Sequence, residues 1–150
     1  MISKWAAKVG LAAVMLGAVT AAGADTPQLM RAFGWVYMRD ASGRQYSCVA
    51  YGLYEPSAAG IYVAMYAGST PVLYVNKGGV VPSWSGSGTP VVFSAPGTWY
   101  GSQVTVQVTF KPNSNNLLQG DISITVSNSN GVIATLNRVS GVGYMIVAAR

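Results

Sequence analysis

Aromatic rings in turn-rich segments are the side chains of this sequence best suited to binding another molecule. Trp84 lies in the Gly- and Ser-rich stretch 83–90, and Trp99 and Tyr100 follow a Pro-Gly pair. Rings placed in loops cost hydration free energy unless they pack or bind, and their flat faces suit sugars and protein interfaces. The sequence therefore predicts that Trp84, Trp99 and Tyr100 bind a ligand or partner, with packing at the ends of the fold as the alternative.

The sequence lacks the side chains that most enzymes use. It contains no histidine, which excludes Ser-His-Asp catalysis, Cys-His catalysis and histidine metal sites. It has four acidic residues, and nothing in their spacing brings two together as glycoside hydrolysis requires: Asp25, Asp40, Glu55 and Asp121. Neither a G-x-S-x-G turn nor a phosphate-binding glycine loop is present. We therefore expect a protein that is not an enzyme and that holds no cofactor or metal.

A single cysteine, Cys48, lies in an apolar alternating stretch. One cysteine forms no disulfide within the chain and cannot build a structural zinc site. It has two interpretations, a small apolar side chain in the core or an intermolecular disulfide between two copies.

The first 24 residues have the organisation of a secretory signal peptide. Lys4 and Lys8 supply a positive start, an apolar run follows over 9–19, and an Ala-Gly-Ala triplet at 22–24 offers a cleavage site. The apolar run is shorter than the roughly 20 residues that a transmembrane helix needs, although a retained anchor is the alternative. We expect residues 1–24 to be removed and the rest to be secreted, to a periplasm, the cell surface or the medium.

Charge is scarce and scattered along the chain. Nine basic and four acidic residues give a net charge of +5, and charged residues make up 9% of the sequence. Nucleic-acid binding needs a basic patch or stripe, and the basic residues form no cluster, so we expect no nucleic-acid partner. Weak electrostatic repulsion between copies favours self-association.

Residues 25–150 are predicted to form one all-β domain of about nine strands. Short alternating segments are separated by Gly, Pro, Asn and Ser, as in an antiparallel β-sandwich or a barrel-like fold. The clearest strand is 102–111, where valines alternate with Thr and Gln. A break is expected at 95–97, separate strands are expected over 132–136 and 143–149, and Asn130-Gly131 is expected to form a type I′ turn.

Segment 46–75 is apolar at both odd and even positions. It is either a pair of strands covered on both faces, a surface buried when subunits assemble, or a membrane-inserting hairpin of a pore.

These observations favour an exported structural or interaction protein that assembles with itself or a protein partner into a surface layer, appendage or particle. A small module that binds carbohydrate or another ligand through its loop aromatics is the alternative. A membrane-active or pore-forming protein is the third reading, and membrane contact is not favoured.

Overall fold

The computed structural model describes residues 29–86, 88–113 and 116–149. The expected signal peptide, 1–24, lies outside the described residues. Within them the secondary structure is all β, which confirms the predicted fold class. The strands are β1 (Leu29–Asp40), β2 (Gln45–Glu55), β3 (Ala58–Ala67), β4 (Thr70–Gly78), β5 (Ser83–Trp84), β6 (Val91–Trp99), β7 (Ser102–Asn113), β8 (Asn116–Asn128) and β9 (Gly131–Ala149).

Across the described ranges, no helix has the length and apolar character needed to cross a membrane.

The strands form one antiparallel sheet that closes on itself. The order is β4-β3-β2-β1-β9-β8-β7-β6-β5, and an additional pairing joins β4 to β6. This closing seam is short: Leu73 pairs with Trp99, and Tyr74 pairs with Thr98. Eight strands therefore make a closed barrel, and the two-residue β5 is an extra strand paired with the start of β6. Of the two architectures that the sequence left open, the barrel is the one observed.

Alternation along each strand fills the barrel interior with apolar side chains. In β7, Val104, Val106 and Val108 are buried while the intervening Thr105 and Gln107 are exposed, as the period-2 pattern predicts. Phe93 and Phe110 meet edge to face in the interior, with ring centroids 5.9 Å apart. An eight-stranded barrel is just wide enough for side chains to fill it, so this interior is a packed core.

Two predicted breaks are absent from the fold. The expected break at 95–97 is wrong, because β6 continues through Pro96 and Gly97 to Trp99. On the side away from β7, β6 pairs only at its two ends, so a proline in its middle is tolerated there. The two separate strands expected at the chain's end are one strand, β9, whose pairing with β1 shifts register twice.

The hairpin turn with two positive-φ residues connects β6 to β7, and not β8 to β9 as expected. Tyr100 and Gly101, between β6 and β7, have φ of 50° and 83°, as the two central residues of a type I′ turn require. At the β8–β9 turn, Gly131 has a positive φ of 115° and Asn130 does not. The expected type I′ turn at Asn130-Gly131 is therefore wrong, and an adjacent register shift indicates a bulged hairpin.

Gly97 makes the closing seam possible. A Cβ atom at this position would lie 2.6 Å from the carbonyl oxygen of Tyr74 and 2.7 Å from Cγ2 of Val75, both on β4. Contacts this short force the two strands apart, since the oxygen belongs to the backbone and cannot rotate away.

We therefore expect Gly97→Ala to lower the free energy of unfolding by about 1–3 kcal/mol, the usual cost of overpacking. Ser94→Ala, on the exposed side of the same strand, should change it by less than about 0.5 kcal/mol. Urea denaturation followed by circular dichroism measures both. Equal stability of the two variants would show that the seam is not tightly packed at Gly97.

Candidate functional site

The outer surface of the barrel has two unlike halves. Over β6 to β8 the outward side chains are mostly hydroxyls and amides, with Pro96, Lys111 and Asp121 also exposed. The hydroxyls and amides include Ser94, Thr105, Gln107, Ser123 and Thr125. We call these residues the polar face. Over β1 to β4 the outward side chains are mostly aromatic. We call them the aromatic face, which comprises the exposed Phe33, Trp35, Tyr37, Tyr66 and Tyr74 and the half-buried Tyr51 and Tyr62.

Strand pairing arranges the aromatic face in rows that run across the strands. In the central row Trp35 pairs with Val49, Val49 with Ala64, and Ala64 with Tyr74. Trp35 is 59% exposed, whereas Ala64 is only 8% exposed. The row therefore has large rings at its ends and small side chains in its middle.

The neighbouring rows surround this middle with further rings. On one side, Phe33 pairs with Tyr51 and Tyr51 with Tyr62; on the other, Tyr37 pairs with Ser47 and Ser47 with Tyr66. The Tyr62 and Tyr74 rings meet edge to face, with centroids 5.8 Å apart. Val49 and Ala64 are thus small side chains surrounded by larger rings, and Ala64 is already buried among them.

Charged groups lie at the border of the aromatic face and not within it. Arg31 and Glu55 form an ion pair of 3.5 Å at one end, and Arg39 stands beyond Tyr37 at the other. Partial burial raises the pKa of the Tyr51 and Tyr62 hydroxyls, so these groups stay neutral at physiological pH. The arrangement is an uncharged centre with a polar rim, which is typical of protein interfaces.

The β1 part of this face was not predicted, although the sequence contains a signal for it. Both alternating sets of β1 are apolar, so hydrophobicity alone does not say which set points outward. Arg31 and Arg39, however, occupy the same set as Trp35. Arginine is rarely buried without a partner, so the side of β1 that carries the two arginines should face outward. The aromatic residues on that same side should then face outward too.

A second group of interacting side chains lies at the barrel end that carries the β1–β2 and β6–β7 turns. One carboxylate oxygen of Asp40 accepts hydrogen bonds from the Ser42 hydroxyl and from the Ser42 and Arg44 amides, and the other accepts one from the Tyr46 hydroxyl at 2.8 Å. These bonds, that of the Ser42 hydroxyl foremost, lower the pKa of Asp40 to about 2. Asp40 thus stays ionised near neutral pH, which suits an anchor of the turn and not a proton donor.

The predicted site residues Trp99 and Tyr100 belong to this group. The Trp99 ring lies between the Tyr46 ring, at a centroid distance of 6.0 Å, and the Tyr100 ring, at 4.9 Å. Tyr100 is 49% exposed, and its hydroxyl accepts a hydrogen bond of 3.1 Å from Arg44. The structure therefore brings Trp99 and Tyr100 together, with Tyr100 fixed at the surface and Trp99 half-buried beneath it.

Next to Tyr46 the surface has a shallow depression of about 340 Å³. It is lined by Tyr37, Gln45, Tyr46, Ser47 and Gly68. It therefore joins the edge of the aromatic face to the turn end of the barrel.

Trp84 does not join the other two predicted residues. It lies in β5, is only 6% exposed and packs in the hydrophobic core. Its ring is therefore not offered to a ligand at the surface, and the alternative of packing applies to it.

Cys48 points into the barrel and is 1% exposed. Burial raises the pKa of its thiol to about 12. A disulfide between two copies would require the barrel to open, so the structure favours the core interpretation of Cys48.

The described residues offer little for acid–base or metal chemistry. Asp121 pairs with Arg138 at 2.9 Å, Glu55 pairs with Arg31, and Asp40 is held by its turn. Within these ranges no three His, Cys, Asp or Glu side chains come together as metal ligands would.

Comparison of the chain with protein-family models, with curated proteins and with solved structures finds no match.

Because the Cys48 thiol is buried and its ionisation suppressed, we expect no reaction with a thiol reagent in the folded protein at pH 8. In denaturing urea one thiol per chain should react within minutes. A disulfide-linked dimer on a non-reducing gel of natively purified protein would contradict the core interpretation.

Proposed function

We propose that this chain is an exported, non-enzymatic structural or interaction protein that assembles through its aromatic face. The observation that carries the proposal is the concentration of exposed rings on β1 to β4, opposite a face of hydroxyls and amides. Export is inferred from the leader pattern of residues 1–24.

The size of the aromatic face supports this proposal. Its five exposed rings have relative exposures between 39% and 59%. At about 200 Å² per ring, roughly 450 Å² of aromatic surface meets water. A standard interface buries about 800 Å² on each partner, so the rings would supply the centre of one and the polar rim the remainder.

The chemistry of the aromatic face also suits a protein partner. Interface centres are enriched in Tyr, Trp and Phe and depleted in charge, and this face has both properties. Tyrosine keeps a hydroxyl that water can solvate before assembly, so the free subunit stays soluble at low concentration.

The test is the solution mass of residues 25–150, measured by light scattering over a concentration series. We expect the wild-type mass to rise with concentration above that of one chain. Tyr66→Glu with Tyr74→Glu, which puts two charges on the aromatic face, should hold the protein as a monomer. Thr105→Glu with Gln107→Glu, which adds the same charge to the polar face, should associate as the wild type does. A wild-type monomer at every concentration would count against the proposal.

A second candidate function, carbohydrate binding, is favoured by the shallow depression beside the aromatic face. It combines a half-exposed ring from Tyr37 with the amide of Gln45 and the hydroxyl of Ser47. Ring faces stack on sugars, while amides and hydroxyls bond to their hydroxyl groups.

If this site binds a neutral glycan, tryptophan fluorescence should change on titration, because Trp35 lies two positions from Tyr37 on the same face. Gln45→Ala should weaken the titration roughly tenfold, the value of one or two lost hydrogen bonds. Gln107→Ala on the polar face serves as the control. An unchanged spectrum across a panel of neutral oligosaccharides would remove this candidate.

A further inference from the structure

We infer that Tyr100 binds a carbohydrate unit and extends the sugar site of the shallow depression across the turn end of the barrel, so that the ligand is a neutral oligosaccharide of at least two linked units. This inference rests on carbohydrate binding, the second candidate function, since it adds a binding residue and a ligand size to that site.

The first support is the strained backbone of Tyr100. Its φ of 50° makes it the one non-glycine residue with a positive φ among those the structure describes. Bulky side chains rarely take this conformation, and type I′ turns favour Asn, Asp or Gly in it. The turn itself therefore does not require a tyrosine. Strain of this kind is concentrated at binding and catalytic sites, where the surrounding structure holds a side chain in a required position.

The second support is that the surroundings hold the Tyr100 ring without covering it. Trp99 meets it edge to face, with centroids 4.9 Å apart, and Arg44 donates a 3.1 Å hydrogen bond to its hydroxyl. The ring nevertheless remains 49% exposed. A ring that is held in one orientation and still meets water is preorganised for stacking, because binding then costs little side-chain entropy.

The fold does not depend on this side chain for its closing bond at the turn. That bond runs from the backbone N–H of Tyr100 to the carbonyl oxygen of Val72 at 2.7 Å. Any residue except proline has this N–H, so an asparagine at position 100 would keep the connection to β4.

The third support is the position of Tyr100 next to the shallow depression. Tyr46 lines the depression, and its ring centroid lies 6.0 Å from that of Trp99. Burial, and after it hydrogen bonding with the Tyr100 hydroxyl, raises the pKa of Tyr46 well above its usual value. Tyr46 thus borders the depression on one side and contacts Tyr100 on the other, so one ligand can reach both.

The side chains along this surface suit a neutral sugar chain. In the depression, the Tyr37 ring stands with the Gln45 amide. At the turn end, the Tyr100 ring stands with the Arg44 guanidinium. Rings stack on the apolar faces of sugars, and amide and guanidinium N–H groups donate to sugar hydroxyls. The charge of Arg44 is offset by the ionised Asp40 of the same turn, which favours an uncharged ligand. Each pairing of a ring with a donor accommodates one sugar unit.

Isothermal titration calorimetry on residues 25–150 tests this site. The probes are linear oligomers of glucose, mannose, galactose and N-acetylglucosamine, from monosaccharide to tetrasaccharide. We expect the wild-type affinity for at least one series to rise roughly tenfold beyond the single unit, the value of one stacked ring. Tyr100→Asn should remove this gain and keep the affinity for the monosaccharide, because the depression is intact. Tyr100→Phe keeps the ring and should retain most of the gain. Gln107→Ala on the polar face is the control and should match the wild type.

Thermal unfolding of the same variants separates binding from a purely structural role. Asparagine takes a positive φ more readily than tyrosine, so we expect the melting temperature of Tyr100→Asn to equal or exceed that of the wild type. A melting temperature well below the wild-type value would show that the ring is kept for packing, and it would overturn the inference.

The outcomes separate the inference from the function on which it rests. A wild-type affinity that is independent of chain length, or a gain that persists in Tyr100→Asn, overturns the role of Tyr100 and leaves sugar binding in the depression. If no oligomer of the panel binds the wild type, the inference and the second candidate function are both overturned. Assembly through the aromatic face is measured separately, by light scattering, and neither result changes it.

Discussion

Closure of the sheet at the β4–β6 seam is the constraint on which the rest of the structure depends. The seam consists of two residue pairs, and it is close enough that a glycine is needed at position 97. Once the seam forms, each strand has one face toward a small interior and one toward the outside. The described interior buries no charged or amide side chain, and the hydroxyl of the buried Tyr46 donates a hydrogen bond to Asp40.

This closure explains why so much aromatic surface faces outward. An eight-stranded barrel has room for one inward side chain at every second position and no more. In β1 to β4 both alternating sets are largely apolar, so the set that does not fit inside has to lie on the surface. A sandwich could cover a second face by stacking another sheet on it, but a barrel cannot. That face is left open to another molecule, which is the physical basis of the proposed assembly.

The sequence predicted the strands better than their arrangement. In β7, valines alternate with polar Thr and Gln side chains, and this contrast identified which residues point inward and which point outward. The choice between sandwich and barrel depended on the short seam at Leu73 and Tyr74, and two residue pairs leave no compositional signal. Pro96 predicted a break because proline has no N–H to donate to a neighbouring strand. On the side away from β7, however, β6 has no paired strand at Pro96, so no inter-strand hydrogen bond is lost there. Trp84 resembled a loop residue because β5 has only two residues, yet its ring reaches the core. For the candidate site, Trp99 and Tyr100 are adjacent in sequence and their rings are in contact, while their role in binding stays a prediction. The larger face follows only from the outward position of Arg31 and Arg39 on β1.

The pairing of β1 with β9 has a consequence for how the chain reaches this fold. All other neighbours in the barrel, apart from the seam, are consecutive in sequence, but β1 receives its second neighbour only from 136–149. Until those residues arrive, β1 keeps an unpaired edge beside its own aromatic rings, and such edges recruit strands from other chains. Contacts between such distant parts of a chain also form slowly. The interval between the first and last strands is therefore when this protein is most exposed to mispairing and aggregation.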